Sequence, residues 1–209
     1  MQTRIAILAS GSGSNAQALL DASARDDLAG GRVVVLASDR EGAAALERAR
    51  ASGVEALHVD PAAYRMREEY DLGLVGALVA RRIDLVCLAG FMRILSPPFI
   101  RAFPGRILNV HPALLPAFPG AHAVRDAIAW GVKVTGTTVH VATEEVDAGP
   151  ILLQRCVGVL PEDDEASLHE RIKTVEHELY PEAVRLFVSG RIRIEGRQVH
   201  LVPAPAPRS

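Results

Sequence analysis

Short, nearly unbroken apolar runs separated by helix-length stretches constrain this chain more than any other feature. Arg4–Ser10 (RIAILAS), Val33–Ser38 (VVVLAS), Glu55–Val59, Asp84–Ala89 (DLVCLA) and Arg106–Val110 (RILNV) read as strands. Between them helices are predicted over Ala16–Ala24, Glu41–Ala51 and Tyr64–Arg82, the last with apolar residues at helical spacing. A strand that is apolar along its whole length has to be covered on both faces. Strands of this kind alternating with helices specify an α/β fold with a mostly parallel central sheet flanked by helices.

Beyond His111 the pattern changes. Val132–Ala142 alternates in period two, which predicts a strand with two distinct faces. Ile151–Leu160 is a further strand able to pair with it as a hairpin, so the later sheet is expected to be partly antiparallel. A long helix over Glu165–Ser189 and a short strand pair around Ile192–Leu201 follow. Residues 1–202 are expected to form one domain and 203–209 (PAPAPRS) a disordered tail.

Composition narrows the function classes. With 49% hydrophobic and 23% charged residues the chain forms a core, and a formal net charge of −2 offers no basic field for nucleic acid. Lys133 and Lys173 are the only lysines, which reads as a composition bias rather than a functional signal. Cys87 and Cys156 lie in apolar runs and read as small buried residues of a reducing compartment. The apolar run Ile5–Ala9 is too short for a signal peptide, and no segment has the length of a membrane span. A soluble cytoplasmic protein is expected.

Gly11-Ser12-Gly13-Ser14-Asn15 joins the first strand to the first helix. Glycines let backbone approach a ligand, a helix N-terminus presents unpaired N–H groups, and Ser14 or Asn15 is suited to cap the helix. The third glycine of the dinucleotide pattern is missing, so the loop suits a phosphate monoester. It reads equally well as a tight, well-capped strand–helix turn. Asn109 and His111 stand two apart at the end of a parallel strand, where ligand chemistry gathers in open α/β sheets, and project to one side. An amide and an imidazolium together suit a carbonyl becoming an oxyanion. Asp147, before Gly149-Pro150, would raise the pKa of His111 if the fold brought them together. Taken singly, His111 reads as a structural histidine and Asp147 as turn chemistry. The prolines at 112, 116 and 119 fix one loop shape, with room for a cis bond. His140 reads as part of an alternating strand and His122 as capping a helix. His58, His169, His177 and His200 have no metal-ligand spacing, so no metal site is predicted.

GSGSN at 11–15, LAGFMRILSP at 88–97, LNVHPALLPAFPG at 108–120, GTTVH at 136–140, VDAGPILLQ at 146–154 and TVEHELYP at 174–181 occur in this order. On these motifs the chain resembles the folate-dependent phosphoribosylglycinamide formyltransferases, from Arg4 to about Arg193. The resemblance implies a Rossmann-like formyltransferase fold with antiparallel C-terminal strands. It implies formyl transfer from 10-formyltetrahydrofolate to glycinamide ribonucleotide in purine synthesis, by a monomer or homodimer without metal. It also implies roles. Asn109, His111 and Asp147 would be catalytic, with Asp147 keeping His111 charged. Gly13, Ser14 and Asn15 would hold the substrate phosphate, and Lys173 and Glu176 would contact ribose and glycinamide. Met92, Arg93, Ile94 and Leu95 would line the pterin pocket, Arg67 would sit near the glutamate end, and Thr143, Glu144, Glu145 and Val146 would form the loop over the pterin. On residue pattern alone, Met92–Leu95 reads more readily as core, and Arg67 and Glu176 as surface charges. Ala113 and Ala117 depart from the serine and the basic residue usual there, so altered loop packing or affinity is expected rather than lost activity. Related deformylases carry an added N-terminal domain and methionyl-tRNA formyltransferases a basic C-terminal one. With the first strand at Arg4 and PAPAPRS at the end, neither is expected. A catalytically silent folate- or nucleotide-binding module on the same fold is the reading from another class.

Overall fold

The computed structural model describes residues 2–203. Strands β1 (Thr3–Leu8), β2 (Gly31–Ser38), β3 (Glu55–His58), β4 (Leu85–Leu88), β5 (Ile107–His111), β6 (Val134–Val141) and β7 (Ile151–Gly158) make one sheet in the order β3-β2-β1-β4-β5-β6-β7. The first five are parallel, and β6 runs antiparallel to both β5 and β7. Strands β8 (Ile192–Glu195) and β9 (Gln198–Leu201) form a separate antiparallel pair. Helices are α1 (Ser14–Ala24), α2 (Ala44–Ala51), α3 (Arg67–Ala80), α4 (Pro97–Ala102), α5 (Ala123–Trp130) and α6 (Glu165–Val188). The mixed sheet expected from the apolar runs and the period-two segment is therefore present. The tail expected at 203–209 lies outside the described residues except for Pro203.

The sheet is covered on both faces because its strands alternate their side chains between two cores. Ile5 and Ile7 of β1 pack with Leu19 of α1, Leu46 of α2 and Leu179 and Tyr180 of α6. Ala6 and Leu8 face the other way, towards Tyr70 and Leu74 of α3 and Phe99 of α4. Each large apolar side chain so buried stabilises the fold by roughly 1.5–3 kcal/mol. Tyr180 also ties the parallel strands together, its hydroxyl lying 3.0 Å from the Leu88 carbonyl oxygen and 2.9 Å from that of Leu108.

Several local expectations are corrected. Helix α1 begins at Ser14 with Gly13 as its N-cap at φ +71°, and neither Ser14 nor Asn15 caps it. Only glycine holds that backbone without strain, and a Cβ there would stand 2.7 Å from the Ala45 Cβ. Helix α3 starts at Arg67 rather than Tyr64, after a 3₁₀ turn at Pro61–Ala63 in which Asp60 accepts from the Ala62 N–H at 2.9 Å. Helix α4 was not predicted, since six residues are too few to show a period. His122 occupies the N-cap of α5 but makes no side-chain capping bond. Cys156 is exposed on β7, the edge strand, whereas Cys87 is buried. Strand β6 is buried on both faces from Thr135 to Val141, with the hydroxyls of Thr137 and Thr138 hydrogen-bonded inside the protein instead of solvated.

Glycines in α3 separate tolerance from necessity. Gly76 is exposed and a Cβ there meets nothing within 4 Å, whereas one at Gly73 would run into the Tyr64 ring. Gly76→Ala is expected to stabilise the protein by about 0.5–1 kcal/mol, and Gly73→Ala to destabilise it. Paired thermal or urea unfolding of the two variants checks both signs.

Candidate active site

Strand order reverses between β1 and β4, so the chain leaves these two neighbouring strands in opposite directions and opens a crevice at their carboxyl ends. The loops entering it are hydrogen-bonded to each other. Ser10 N–H donates to the Gly90 carbonyl at 3.0 Å, and Met92 N–H donates to Ser10 Oγ at 2.9 Å. Asn15, in the first turn of α1, donates from Nδ2 to Glu176 Oε2 at 2.6 Å. Glu176, on α6, is only 3% exposed, and burial raises its pKa against the opposing pull of Asn15, Thr137 and Lys173. Thr137 of β6 lies 3.5 Å from Glu176 Oε1 and donates to the His111 carbonyl at 3.2 Å. The chain Asn15–Glu176–Thr137–His111 thus connects the glycine-rich loop to the end of β5.

There the polar groups converge. Register pairs Asn109 with His140 and His111 with Thr138 across β5 and β6. Asn109 Nδ2 lies 3.1 Å from His140 Nε2 and 3.5 Å from Asp147 Oδ1. His140 Nε2 is 3.5 Å from the same carboxylate oxygen, so the ring's tautomer decides whether Nε2 donates to Asp147 or accepts from Asn109. His111 places Nδ1 3.4 Å from Asp147 Oδ2 and Nε2 2.8 Å from the Phe118 carbonyl oxygen. Gly120 N–H donates to Asp147 Oδ2 at 2.8 Å. Asp147 itself sits at φ +53°, a conformation that Asp and Asn tolerate better than most residues. The loop from His111 to Gly120 includes a cis Leu115–Pro116 bond.

Electrostatics here correct one expectation. The Asp147 charge does pull the His111 pKa upward, as does the Phe118 carbonyl, but burial outweighs both and leaves it below the ordinary histidine value. His111 is therefore neutral at pH 7 in the ligand-free protein, not the standing imidazolium that the sequence suggested. Burial also works against ionising Asp147. Its contacts with His140, Gly120 and His111 prevail, holding its carboxyl below the usual range. A neutral imidazole beside an ionised carboxylate can gain positive charge as a neighbouring oxygen becomes negative.

A formyl transferase family profile matches residues 3–184. The chain belongs to the formyl transferase family. It is 50% identical over 194 residues to phosphoribosylglycinamide formyltransferase of Mycobacterium tuberculosis, covering 93% of this chain and 89% of that one. Its structure is similar to the crystal structure of glycinamide ribonucleotide transformylase 1 from Symbiobacterium toebii, with a TM-score of 0.95, 53% identity, and 97% and 95% of the two chains covered. It is also 46% identical over 189 residues to the trifunctional purine biosynthetic protein adenosine-3 of Drosophila melanogaster, of which it spans only 14%.

In this member of the family the remaining expected site residues are placed unevenly. Met92 and Ile94 are 65% and 56% exposed, so these two side chains are not core and offer apolar surface after β4, the strand whose Leu88 pairs with Asn109. Leu95, by contrast, is buried in the α3–α4 core. Arg93 lies over the Tyr70 ring at 4.6 Å. In the 143–146 segment Thr143 donates to the Glu145 carbonyl at 3.0 Å, Glu144 pairs with Arg101 at 3.1 Å, and Glu145 and Val146 are exposed. Arg67 is an exposed residue at the start of α3, and Lys173 pairs with Glu170 at 2.6 Å. Glu176 is no surface charge.

Sequence reading missed His140, Thr137 and the Phe118 and Gly120 backbone groups. For His140 a signal existed, because antiparallel pairing of two alternating strands can bring its face against Asn109. The other three depend on loop geometry that no spacing rule contains. Among the described residues no group of three or more His, Cys, Asp or Glu side chains could hold a metal, and no helix is long and apolar enough to cross a membrane.

Proposed function

We propose that this chain transfers the formyl group of 10-formyltetrahydrofolate to the amine of glycinamide ribonucleotide, a step of purine synthesis. The observation that carries the reading is the continuous contact from Asn15 through Glu176 and Thr137 to His111. It joins a loop suited to a phosphate to a cluster suited to a formyl group. Gly13, Ser14 and Asn15 hold the phosphate, while Glu176 and Lys173 address the ribose and glycinamide. The exposed apolar surface of Met92, Ile94 and Val146 suits a flat pterin ring. Arg93, the Leu95 backbone and Thr143–Glu145 complete that pocket, and Arg67 meets the glutamate end. Residues 1–202 act as one domain, in the cytoplasm, as a monomer or homodimer.

In the reaction the amine nitrogen forms a bond to the formyl carbon, and the carbonyl oxygen becomes negative. Asn109 donates one N–H to that oxygen. His111 donates Nε2–H, exchanging the Phe118 carbonyl for the substrate oxygen. As charge develops, the proton affinity of His111 rises, so the ring takes up at Nδ1 the proton that the attacking amine releases, and ionised Asp147 balances the imidazolium. The bond from carbon to the folate nitrogen then breaks, and that nitrogen takes the proton from His111, which returns to its neutral form. Holding both substrates in line supplies much of the acceleration.

The test is incubation with 10-formyltetrahydrofolate, with and without glycinamide ribonucleotide, following both folate and formate. Deformylation that requires the ribonucleotide and releases no formate is the expected result. Formate release without the ribonucleotide would make the chain a deformylase. Folate binding without turnover would make it a silent binding module.

A further inference from the structure

Directly behind the glycine-rich loop lies a guanidinium that forms no ion pair among the described residues. Arg48 of α2 donates from Nε to the Ser12 carbonyl at 2.8 Å and from Nη1 to Gln17 Oε1 at 3.3 Å. Among the described residues no carboxylate oxygen lies within 4.0 Å of it, although many of the other basic side chains have such a partner. Both of its acceptors are neutral oxygens. The same helix grips the loop twice more, through Ala45 N–H donating to the Gly11 carbonyl at 3.1 Å and through the close packing of Ala45 on Gly13.

Arg48 shares with Ser14, Gln17 and His177 the wall of a cleft of about 650 Å³ between α1 and α6. Its charge is felt there. The His177 pKa is lowered by burial first, with Lys173 and Arg48 adding to the effect. Asn15 Oδ1, in the same loop, is buried with no hydrogen-bond partner. The guanidinium bond to the Ser12 carbonyl fixes the peptide just before the first turn of α1. In a cleft wall that also carries Asp21, Asp27, Glu178 and Glu182, Arg48 braces the loop from behind and sets a positive charge beside it.

We propose that Arg48 is the positioning residue that makes this site selective for a phosphorylated acceptor. The proposal rests on the reading of residues 13–15 as the phosphate site. Arg48 touches neither the formyl group nor the amine, so it governs binding of one end of the acceptor and leaves the chemical step alone.

The experiment compares wild type, Arg48→Met and Arg48→Lys with two acceptors, glycinamide ribonucleotide and the phosphate-free glycinamide riboside, at saturating 10-formyltetrahydrofolate. Wild type is expected to prefer the ribonucleotide. Arg48→Met is expected to raise KM for the ribonucleotide about 10- to 100-fold, the range of a lost charge-assisted bond, with kcat within about threefold. Its kcat/KM for the riboside should stay within about twofold, which also reports that the variant is folded. Arg48→Lys should recover only part of the loss, since lysine restores charge without the two-pronged grip on Ser12 and Gln17. Equal losses on both acceptors, or an undiminished preference in Arg48→Met, would overturn the role of Arg48 alone. A wild type indifferent to the phosphate would overturn the phosphate reading of the loop and this proposal with it.

Discussion

Asp147→Asn is expected to lower kcat by about 10²–10³-fold while leaving the fold intact. Asparagine has nearly the same shape, tolerates the positive φ at this position and can still accept from Gly120. The negative charge is what it removes. That charge lies 3.4 Å from His111 Nδ1 and opposes the burial that depresses the His111 pKa. Without it the His111 pKa falls further, and an imidazolium forming late in the reaction has no partner. NMR titration checks the sign independently of turnover. The wild-type His111 ring should titrate below 6.5, the ordinary value, and the variant's ring lower still. Near-normal kcat in the variant, or a pKa that rises, would remove Asp147 from the mechanism.

Gly149→Ala is expected to cost about 3 kcal/mol of stability and most of the activity. A Cβ at Gly149 would run into the Val141 carbonyl oxygen, which is backbone at the end of β6 and cannot swing aside like a side chain. Val141 N–H is meanwhile fixed to the Pro150 carbonyl at 2.9 Å, so the segment between has little freedom to yield. Asp147 lies two residues before the glycine, and displacement of the backbone moves its carboxylate away from His111. For a chain of this size the loss should lower Tm by about 6–12 °C. Gly158→Ala is the control. It lies on β7, a Cβ there meets nothing within 4 Å, and Tm should change by no more than about 2 °C. An unchanged Tm for Gly149→Ala would show that the β6–β7 connection adapts more readily than its packing implies.

The two predictions depend on different kinds of information. The apolar runs RIAILAS and DLVCLA announced central strands, because a strand covered on both faces must be apolar throughout. Period-two alternation announced β6, and the glycine-rich turn and the Asn109–His111 pair marked strand ends where ligands gather. These features are local, and a local pattern is written in consecutive residues. The motifs in order were specific enough to indicate the family before any distance was known.

Other properties were not local. That Glu176 of α6 reaches Asn15, 161 positions away, follows from how the last helix packs across the sheet. His140 became a neighbour of Asn109 through the register of β6 on β5, and Leu95 and Met92 parted between core and surface through the path of one loop. The sequence by itself determined the class of sheet, the family and the set of candidate residues. Only the tertiary structure decided which of them meet and that His111 rests neutral, because contact and desolvation are set by packing between distant segments, and burial there outweighs the adjacent charge.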